Sequence, residues 1–162
     1  MHIRKATTAD MEAIQAIYVR AREYMRQTGN PNQWKHNSPA RSLLEHYLAQ
    51  GVLMVAEDSR EMHAVFALIP GPDPTYSYIK GKWLNDAPYA AMHSVASAGK
   101  QPGMLGVCLA YADALYDNLR IDTHHDNRVM QHLLIKHGFT RCGIIYLENG
   151  EPRIAYQRIK TC

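Results

Sequence analysis

The chain has 162 residues, of which 46% are apolar and 20% charged, and its formal net charge is +3 at pH 7. This length predicts a single domain over residues 1–162 that is large enough to bury a core. The mild charge argues against nucleic acid as a partner, and no apolar run approaches the length of a membrane span.

The amino-terminal half begins with a short strand over residues 3–6 and a helix that starts near Thr7 or Thr8. Apolar residues recur at helical spacing up to Met25, so one face of this helix is expected to be buried. The sequence Gly29-Asn30-Pro31-Asn32 ends it. A second helix is predicted from Ser38-Pro39 to Gly51, because proline suits a first turn and glycine suits a helix end.

Two β-branched runs, residues 52–56 and 63–69, are predicted to form an antiparallel hairpin across the polar residues 58–61. Residues 70–74 contain three prolines and break the pattern. Residues 76–89 are aromatic but irregular, which leaves both a strand extension and an ordered loop open.

The remaining elements alternate between strands and helices. We predict a strand over residues 89–97, a tight loop over 98–103, a helix over 104–116 and a buried strand over 119–123. A helix begins at Asn127. Strands over 140–146 and 153–159 then pair across Asn149-Gly150, a strong hairpin-turn signal. The order predicts an α+β fold of three layers, with a mixed, mostly antiparallel sheet of about seven strands and about four flanking helices.

The segment from Asn127 to Phe139 reads Asn-Arg-Val-Met-Gln-His-Leu-Leu-Ile-Lys-His-Gly-Phe. Together with the strand, glycine-bearing turn and helix before it, this segment resembles the second half of the GCN5-related N-acetyltransferases (the GNAT superfamily). The resemblance covers the element order of the whole chain. It implies the GNAT fold, acetyl-CoA as cosubstrate, and direct acetyl transfer to a primary amine without a covalent enzyme intermediate.

The loop before the first of these helices is the expected pyrophosphate site, because N–H groups at a strand-to-helix turn bind anions. The family pattern there is Arg or Gln, two residues, Gly, one residue, then Gly or Ala. Counting from Gln101 places Met104 at the glycine position and Gly106 at the last, whereas counting from Lys100 recovers Gly103 but ends on Leu105. The resemblance implies a cofactor site that comprises Val95, Ala96, Ser97, Lys100, Gln101, Gly103, Met104, Leu105, Gly106 and Asn127.

The general base is expected among His93, on the strand before the phosphate loop, and Asp122, His124 and His125, after the next strand. Parallel strands that splay apart there would place these groups beside the thioester. A hydrogen-bonded core histidine is an equally good interpretation of His93. The family's general acid is a tyrosine at the position of Leu134, and leucine cannot donate a proton. Tyr111, Tyr146 or a water molecule remain alternatives, and Tyr146 is included among the catalytic candidates.

Acceptor recognition is expected from Tyr24, Trp34, Trp83 and Glu148, which lie in the variable parts of the chain. The acceptor itself is open between small-molecule and peptide amines, and a homodimer is one expected state. Cys108, Cys142 and Cys162 have no metal-binding or disulfide spacing, and no apolar signal segment follows Met1. We therefore expect no metal and a cytoplasmic location. The rival hypothesis is a non-catalytic acyl-CoA-binding sensor or interaction module.

Overall fold

The computed structural model describes residues 1–59 and 61–160. Its strands are β1 (His2–Lys5), β2 (Leu53–Glu57), β3 (Met62–Pro70), β4 (Lys80–Gly81), β5 (Ala90–Ser97), β6 (Asn118–Thr123), β7 (Thr140–Tyr146) and β8 (Pro152–Ile159). Its helices are α1 (Met11–Gln27), α2 (Arg41–Gln50), α3 (Met104–Asp113) and α4 (Arg128–Lys136). Arg60, which the sequence placed between the two strands of the predicted hairpin, and Cys162 lie outside the described residues.

All the described strands form one sheet in the order β1-β2-β3-β5-β6-β8-β7-β4. Every neighbouring pair is antiparallel except β5 and β6. The mixed, mostly antiparallel sheet is thus confirmed, with one strand more than expected because the two-residue β4 joins the edge.

Alternating side chains of β2 and β3 divide the core between the two faces of the sheet, as period-2 strands require. Leu53, Val55, Val65 and Ala67 pack with the apolar faces of α1 and α2. Met54, Ala56, Ala64 and Phe66 pack with α3 and α4 on the other side. The expected three-layer arrangement is confirmed.

Residues 71–89, which include the segment 76–89 that the sequence left open, form an ordered covering of the sheet beside α1 and α2. Tyr76 and Trp83 pack on Ala91, Ile145 and Ala155. The Trp83 indole donates to the Tyr76 carbonyl at 3.1 Å. Aromatic packing rather than strand pairing therefore orders most of this segment, and only Lys80 and Gly81 pair with β7.

Two predicted boundaries were wrong. The second helix begins at Arg41, with Ala40 as its N-cap, rather than at Ser38-Pro39. The helix predicted over 104–116 ends at Asp113. Among the described residues, no helix is long and apolar enough to cross a membrane.

The contact between β4 and β7 gives a stability prediction. A Cβ at Gly143, which has φ +154°, would overlap the Lys80 carbonyl oxygen and the backbone of Gly81. We expect Gly143→Ala to lower the free energy of unfolding by about 3 kcal/mol, because backbone strain and loss of edge pairing add. Gly150→Ala is the control, since Gly150 also has positive φ but open space around it, and should cost about 1 kcal/mol. Urea unfolding of both variants measures the difference, and equal losses would contradict the overlap.

Candidate active site

The sheet opens between its two parallel strands. β5 and β6 pair only through Ala90 with Leu119 and Ala91 with Arg120. Beyond these pairs, β5 continues to Ser97 and β6 to Thr123. In the described chain, the facing edges of the two strands have no strand partner there. Two cavities meet at this opening, and both are lined by Met25, Val95, Asn127 and Met130.

A β-bulge lies in β5 at the opening. Ala67 pairs with His93 and Val65 pairs with Ala96, so β5 has one residue more than β3 over this stretch. Ser94 adopts a positive φ of 55° there. The Tyr18 hydroxyl of α1 donates to the Ser94 carbonyl at 2.7 Å, which fixes the bulge against α1.

The wide cavity has a volume of about 620 Å³ and lies between the end of α1, the end of β5 and the starts of α3 and α4. Its apolar lining includes Ala21, Met25, Leu105 and Leu133. The lining also includes the cations Arg20, Lys100 and Lys136, and none of the described residues that line it is acidic. This cavity therefore suits a long, partly apolar ligand that carries negative charge.

The loop from Ala98 to Gly103 forms one end of the wide cavity. Gly99 and Gly103 have φ of +74° and +77°, a conformation that L side chains rarely adopt. Gly103 is the N-cap of α3, so the first N–H groups of that helix face the loop without helical partners. Such N–H groups form an anion-binding site, and a nearby cation strengthens it.

Two cations stand beside this loop in different settings. The Arg20 guanidinium donates to the Ser97 carbonyl at 3.1 Å and occupies the space next to Gly99. The Lys100 ammonium pairs with Glu61. Arg20, which the expected cofactor site did not include, is therefore the cation held against the loop.

The narrow cavity has a volume of about 390 Å³ and lies across the opening, between α2, the 33–40 loop and the ends of β5, β6 and β8. Trp34, Pro39, Leu43 and Leu147 are among its apolar lining residues. His93 and Asp122 also line it. This cavity is therefore a second compartment that contains ionisable groups.

His93 belongs to a cluster of hydrogen-bonded groups. Its Nε2 lies 2.7 Å from the Asp73 carboxylate, and its Nδ1 lies 3.9 Å from Asp122 Oδ2. Asp122 Oδ2 accepts a 2.7 Å bond from the Tyr76 hydroxyl. Asp73 is held in turn by Thr75, whose N–H and hydroxyl both donate to its Oδ1.

Charge in this cluster alters two pKa values. Burial alone raises the pKa of Asp73, but hydrogen bonds from His93 and Thr75 outweigh it and lower this pKa to about 2. Burial lowers the pKa of His93, but the Asp73 hydrogen bond and the charges of Asp122 and Asp73 outweigh it and raise this pKa above its ordinary value. An ionised Asp73 only accepts hydrogen bonds, so Nε2 of His93 carries the proton and Nδ1 is the basic nitrogen.

Tyr47 of α2 lines the narrow cavity beside the bulge, where its hydroxyl faces the Ser94 side chain. Burial raises the pKa of Tyr47; the Ser94 side chain opposes this shift, and the charges of Asp73 and Asp122 add to it. Tyr47 therefore keeps its proton at neutral pH.

Asn127 stands where the two cavities meet. Its side chain caps α4 by accepting from the Met130 N–H at 3.0 Å. Its Nδ2 donates to Gln33 Oε1 at 2.9 Å, which ties the 33–40 loop to the helix start. Asn127 therefore both caps α4 and lines the two cavities.

The structure brings most of the sequence-predicted residues together. The ten residues of the expected cofactor site all line the wide cavity. His93, Asp122 and Trp34 line the narrow cavity. Tyr24, expected on the acceptor side, instead lines the wide cavity, where the Arg20 guanidinium lies 5.5 Å from its ring centroid.

Four predicted residues lie apart from both cavities. Trp83 is buried under the Arg120 guanidinium, 4.0 Å from its ring centroid, and Tyr146 packs on Tyr78 at the surface. Glu148 is exposed in the last turn. His124 is buried, and its Nδ1 accepts from the Asp126 N–H at 3.0 Å.

His124, His125 and Asp126 place potential ligand atoms within 4.8 Å of one another, the one such group found among the described residues. The bond from the Asp126 N–H occupies Nδ1 of His124, and adjacent residues seldom converge on one ion. We therefore assign these residues to the loop that leads into α4.

The sequence missed Arg20, Gln33, Tyr47 and Asp73. Each of these polar residues lies on a helix or loop that precedes β5 in the chain, among apolar neighbours. The only available signal was Pro72-Asp73-Pro74, a rigid loop with a single acidic residue. Without knowing the fold, that signal cannot be distinguished from an ordinary turn.

Comparisons with solved structures identify the fold. An acetyltransferase of the GNAT family from Streptococcus agalactiae 2603 matches with a TM-score of 0.87 and 29% identity over 99% of this chain and 96% of that chain. A GNAT-family acetyltransferase from Listeria monocytogenes 4b F2365 has a TM-score of 0.72 and 16% identity over 98% of this chain and 94% of that chain. Ribosomal-protein-alanine N-acetyltransferase from Brucella melitensis has a TM-score of 0.60 and 21% identity over 98% and 99%.

No protein-family model and no curated protein matches the chain by sequence. The structural likeness to the streptococcal protein extends over nearly the whole of both chains, and the two more distant proteins share the same fold. The chain has the fold of the GNAT acetyltransferases, which confirms the resemblance seen in residues 127–139.

Proposed function

We propose that this chain, which has the GNAT fold, transfers the acetyl group of acetyl-CoA to a primary amine. The observation that carries the proposal is the meeting of two unlike cavities at the opening of the sheet. The wide cavity is basic and partly apolar, and the narrow cavity is lined by Asp122 and by His93, whose imidazole lies between the Asp73 and Asp122 carboxylates. Val95 and Asn127 border both, so reactants in the two cavities would approach each other there.

The residues of the wide cavity fit acetyl-CoA, which supplies an acetyl thioester. The loop from Ala98 to Gly103 and Arg20 would hold the phosphates. The unpaired edge of β5 would bind the amides of the pantetheine arm and polarise the thioester carbonyl with N–H groups. The apolar side chains of α1, α3 and α4 would enclose the rest of the arm.

His93 is the proposed general base. Its Nδ1 accepts a proton from the acceptor ammonium, so that the neutral nitrogen can attack the carbonyl carbon. Asp73 holds the ring by Nε2, and Asp122, 3.9 Å from Nδ1, stabilises the imidazolium that forms. The N–C bond forms as the C–S bond breaks.

The departing thiolate needs a proton. Leu134, at the α4 position where the family has a tyrosine, has none to donate. Leu134 is fully buried in the core below the wide cavity. All ten tyrosines lie in the described part of the chain, and only Tyr24 and Tyr47 line either cavity. We assign the proton donor to Tyr47, since it stands at the bulge and retains its proton.

The pH dependence tests the role of His93. Because only the neutral imidazole accepts a proton, the rate should rise with pH through an apparent midpoint above the ordinary pKa of histidine. Asp73→Asn removes the hydrogen-bonded charge that raises this pKa, so the midpoint should fall. The measurement is kcat/KM against pH for both proteins with the same acceptor, so that the acceptor's own ionisation cancels in the comparison. Asp117→Asn, an exposed carboxylate, should leave the midpoint unchanged, and an unchanged midpoint in Asp73→Asn would contradict the assignment.

Leucine at position 134 also favours a second candidate, a binding module that holds acyl-CoA without transferring the acyl group. Release of CoA thiol with a panel of primary amines separates the two functions. Release that requires the acceptor, with the acetylated amine found by mass spectrometry, supports transfer. Binding of acetyl-CoA with no release for any amine would leave only the binding module.

A further inference from the structure

The narrow cavity has charges of opposite sign at two ends. Asp122 lines it beside His93, and Arg153 lines it beside the 33–40 loop. Their side chains are only 12% and 5% exposed. Buried charges of this kind need partners, so each invites an ionic group of a ligand.

The strand register places the backbones of Asp122 and Arg153 close together. Asp122 of β6 pairs with Ala155 of β8, and Arg153 is two residues before Ala155. Side chains two residues apart share a face of a strand, so Asp122 and Arg153 are diagonal neighbours, about 7–8 Å apart at Cα. Both side chains therefore line the narrow cavity from neighbouring strands.

Arg153 is only partly satisfied by the protein. Its guanidinium donates to the Pro152 carbonyl at 2.9 Å, the Gln33 carbonyl at 3.4 Å and Glu151 Oε2 at 3.3 Å. Since arginine has five N–H donors, these three acceptors among the described residues leave two donors for a ligand. Glu151 is also shared with Lys35 at 2.9 Å, so two cations face one carboxylate at this end.

The other end of the cavity has the opposite balance. Asp73 and Asp122 both lie around the His93 ring, and Asp122 also accepts a hydrogen bond from the uncharged Tyr76 hydroxyl. An ammonium group is therefore favoured beside His93 and a carboxylate beside Arg153. A second cation on the acceptor would meet Arg153 and be repelled.

We propose that the acceptor is a free α-amino acid with an apolar side chain. Its amino group would lie at His93 and Asp122, its carboxylate at Arg153, and its side chain against Trp34, Leu43 and Leu147. This inference rests on the proposed acetyl transfer. It disfavours polyamines and aminoglycosides, because each of these acceptors carries several cations. Among the described residues that line the cavity, Asp122 is the one carboxylate.

Matched acceptors test the role of the carboxylate. L-Leucine and 3-methylbutylamine differ only in that group, as do L-phenylalanine and 2-phenylethylamine. We expect kcat/KM for each amino acid to exceed that for its amine by at least about 30-fold, since a charged hydrogen-bonded pair contributes about 2 kcal/mol or more. In Arg153→Met the ratio should fall to about one, mainly through KM of the amino acid, and Arg153→Lys should retain part of it.

The ratio also separates substrate binding from a structural role. Arg153 holds the Gln33 carbonyl, so its loss can loosen the 33–40 loop, but that effect lowers the rates of both acceptors alike. Glu151→Gln keeps the guanidinium and should keep the ratio. A ratio near one in the wild type, or an unchanged ratio in Arg153→Met, would overturn the inference while leaving amine acetylation intact. Turnover of neither acceptor nor any other amine would instead overturn the proposed function.

Discussion

Replacing His93 by glutamine should lower kcat for acetyl transfer by about 10²–10⁴, the usual contribution of a positioned general base. Glutamine retains a hydrogen-bonding group toward Asp73 but cannot accept a proton at neutral pH. His93 does not line the wide cavity, so the dissociation constant of acetyl-CoA should remain within about twofold of wild type. Steady-state kinetics and a titration of acetyl-CoA measure the two quantities.

His63→Gln is the matched control for this variant. His63 is a buried histidine on the adjacent strand β3, and like His93 it is paired with an aspartate, Asp58, at 2.8 Å. It lines neither cavity. If His63→Gln lost as much activity as His93→Gln, the loss would reflect disturbed packing of the sheet rather than proton transfer.

Replacing Gly106 by phenylalanine should weaken acetyl-CoA binding by at least about 100-fold, equivalent to about 2.7 kcal/mol. Gly106 lies in the first turn of α3 and lines the wide cavity, where a large side chain would occupy the ligand's space. A calorimetric titration measures the change, and circular dichroism checks that the helix is retained.

Gly106→Ala is the control for that prediction. The added Cβ would lie 3.2 Å from His137 Cε1, at the end of a side chain that can move, and alanine favours the helix. Its dissociation constant should therefore stay close to that of the wild type. Equal affinity in all three proteins would place the acetyl-CoA site elsewhere.

The sequence was most informative where function depends on local backbone. The glycines of the 98–103 loop, the cap at Asn127 and the Gly-Phe that ends the segment are short-range signals, and the ten residues predicted around them line one cavity. Asn127 could be located because a cap is defined by the few residues that follow it.

The narrow cavity could not be predicted in the same way. His93 gains its partner from Asp73, twenty residues earlier, and Arg153 joins Asp122 only through the pairing of β6 and β8. His124 and Trp83 had suitable side chains, but a loop bond and a stacked guanidinium bury them away from the opening. These outcomes depend on long-range packing, which residue type and spacing do not specify.

The most direct test of the account is a crystal structure of the protein with CoA. We predict the pyrophosphate at the loop from Ala98 to Gly103 beside Arg20, and the thiol at the junction of the two cavities near Val95, within reach of Tyr47. Density for CoA elsewhere on the surface would contradict the account, and so would its absence from crystals grown with millimolar CoA.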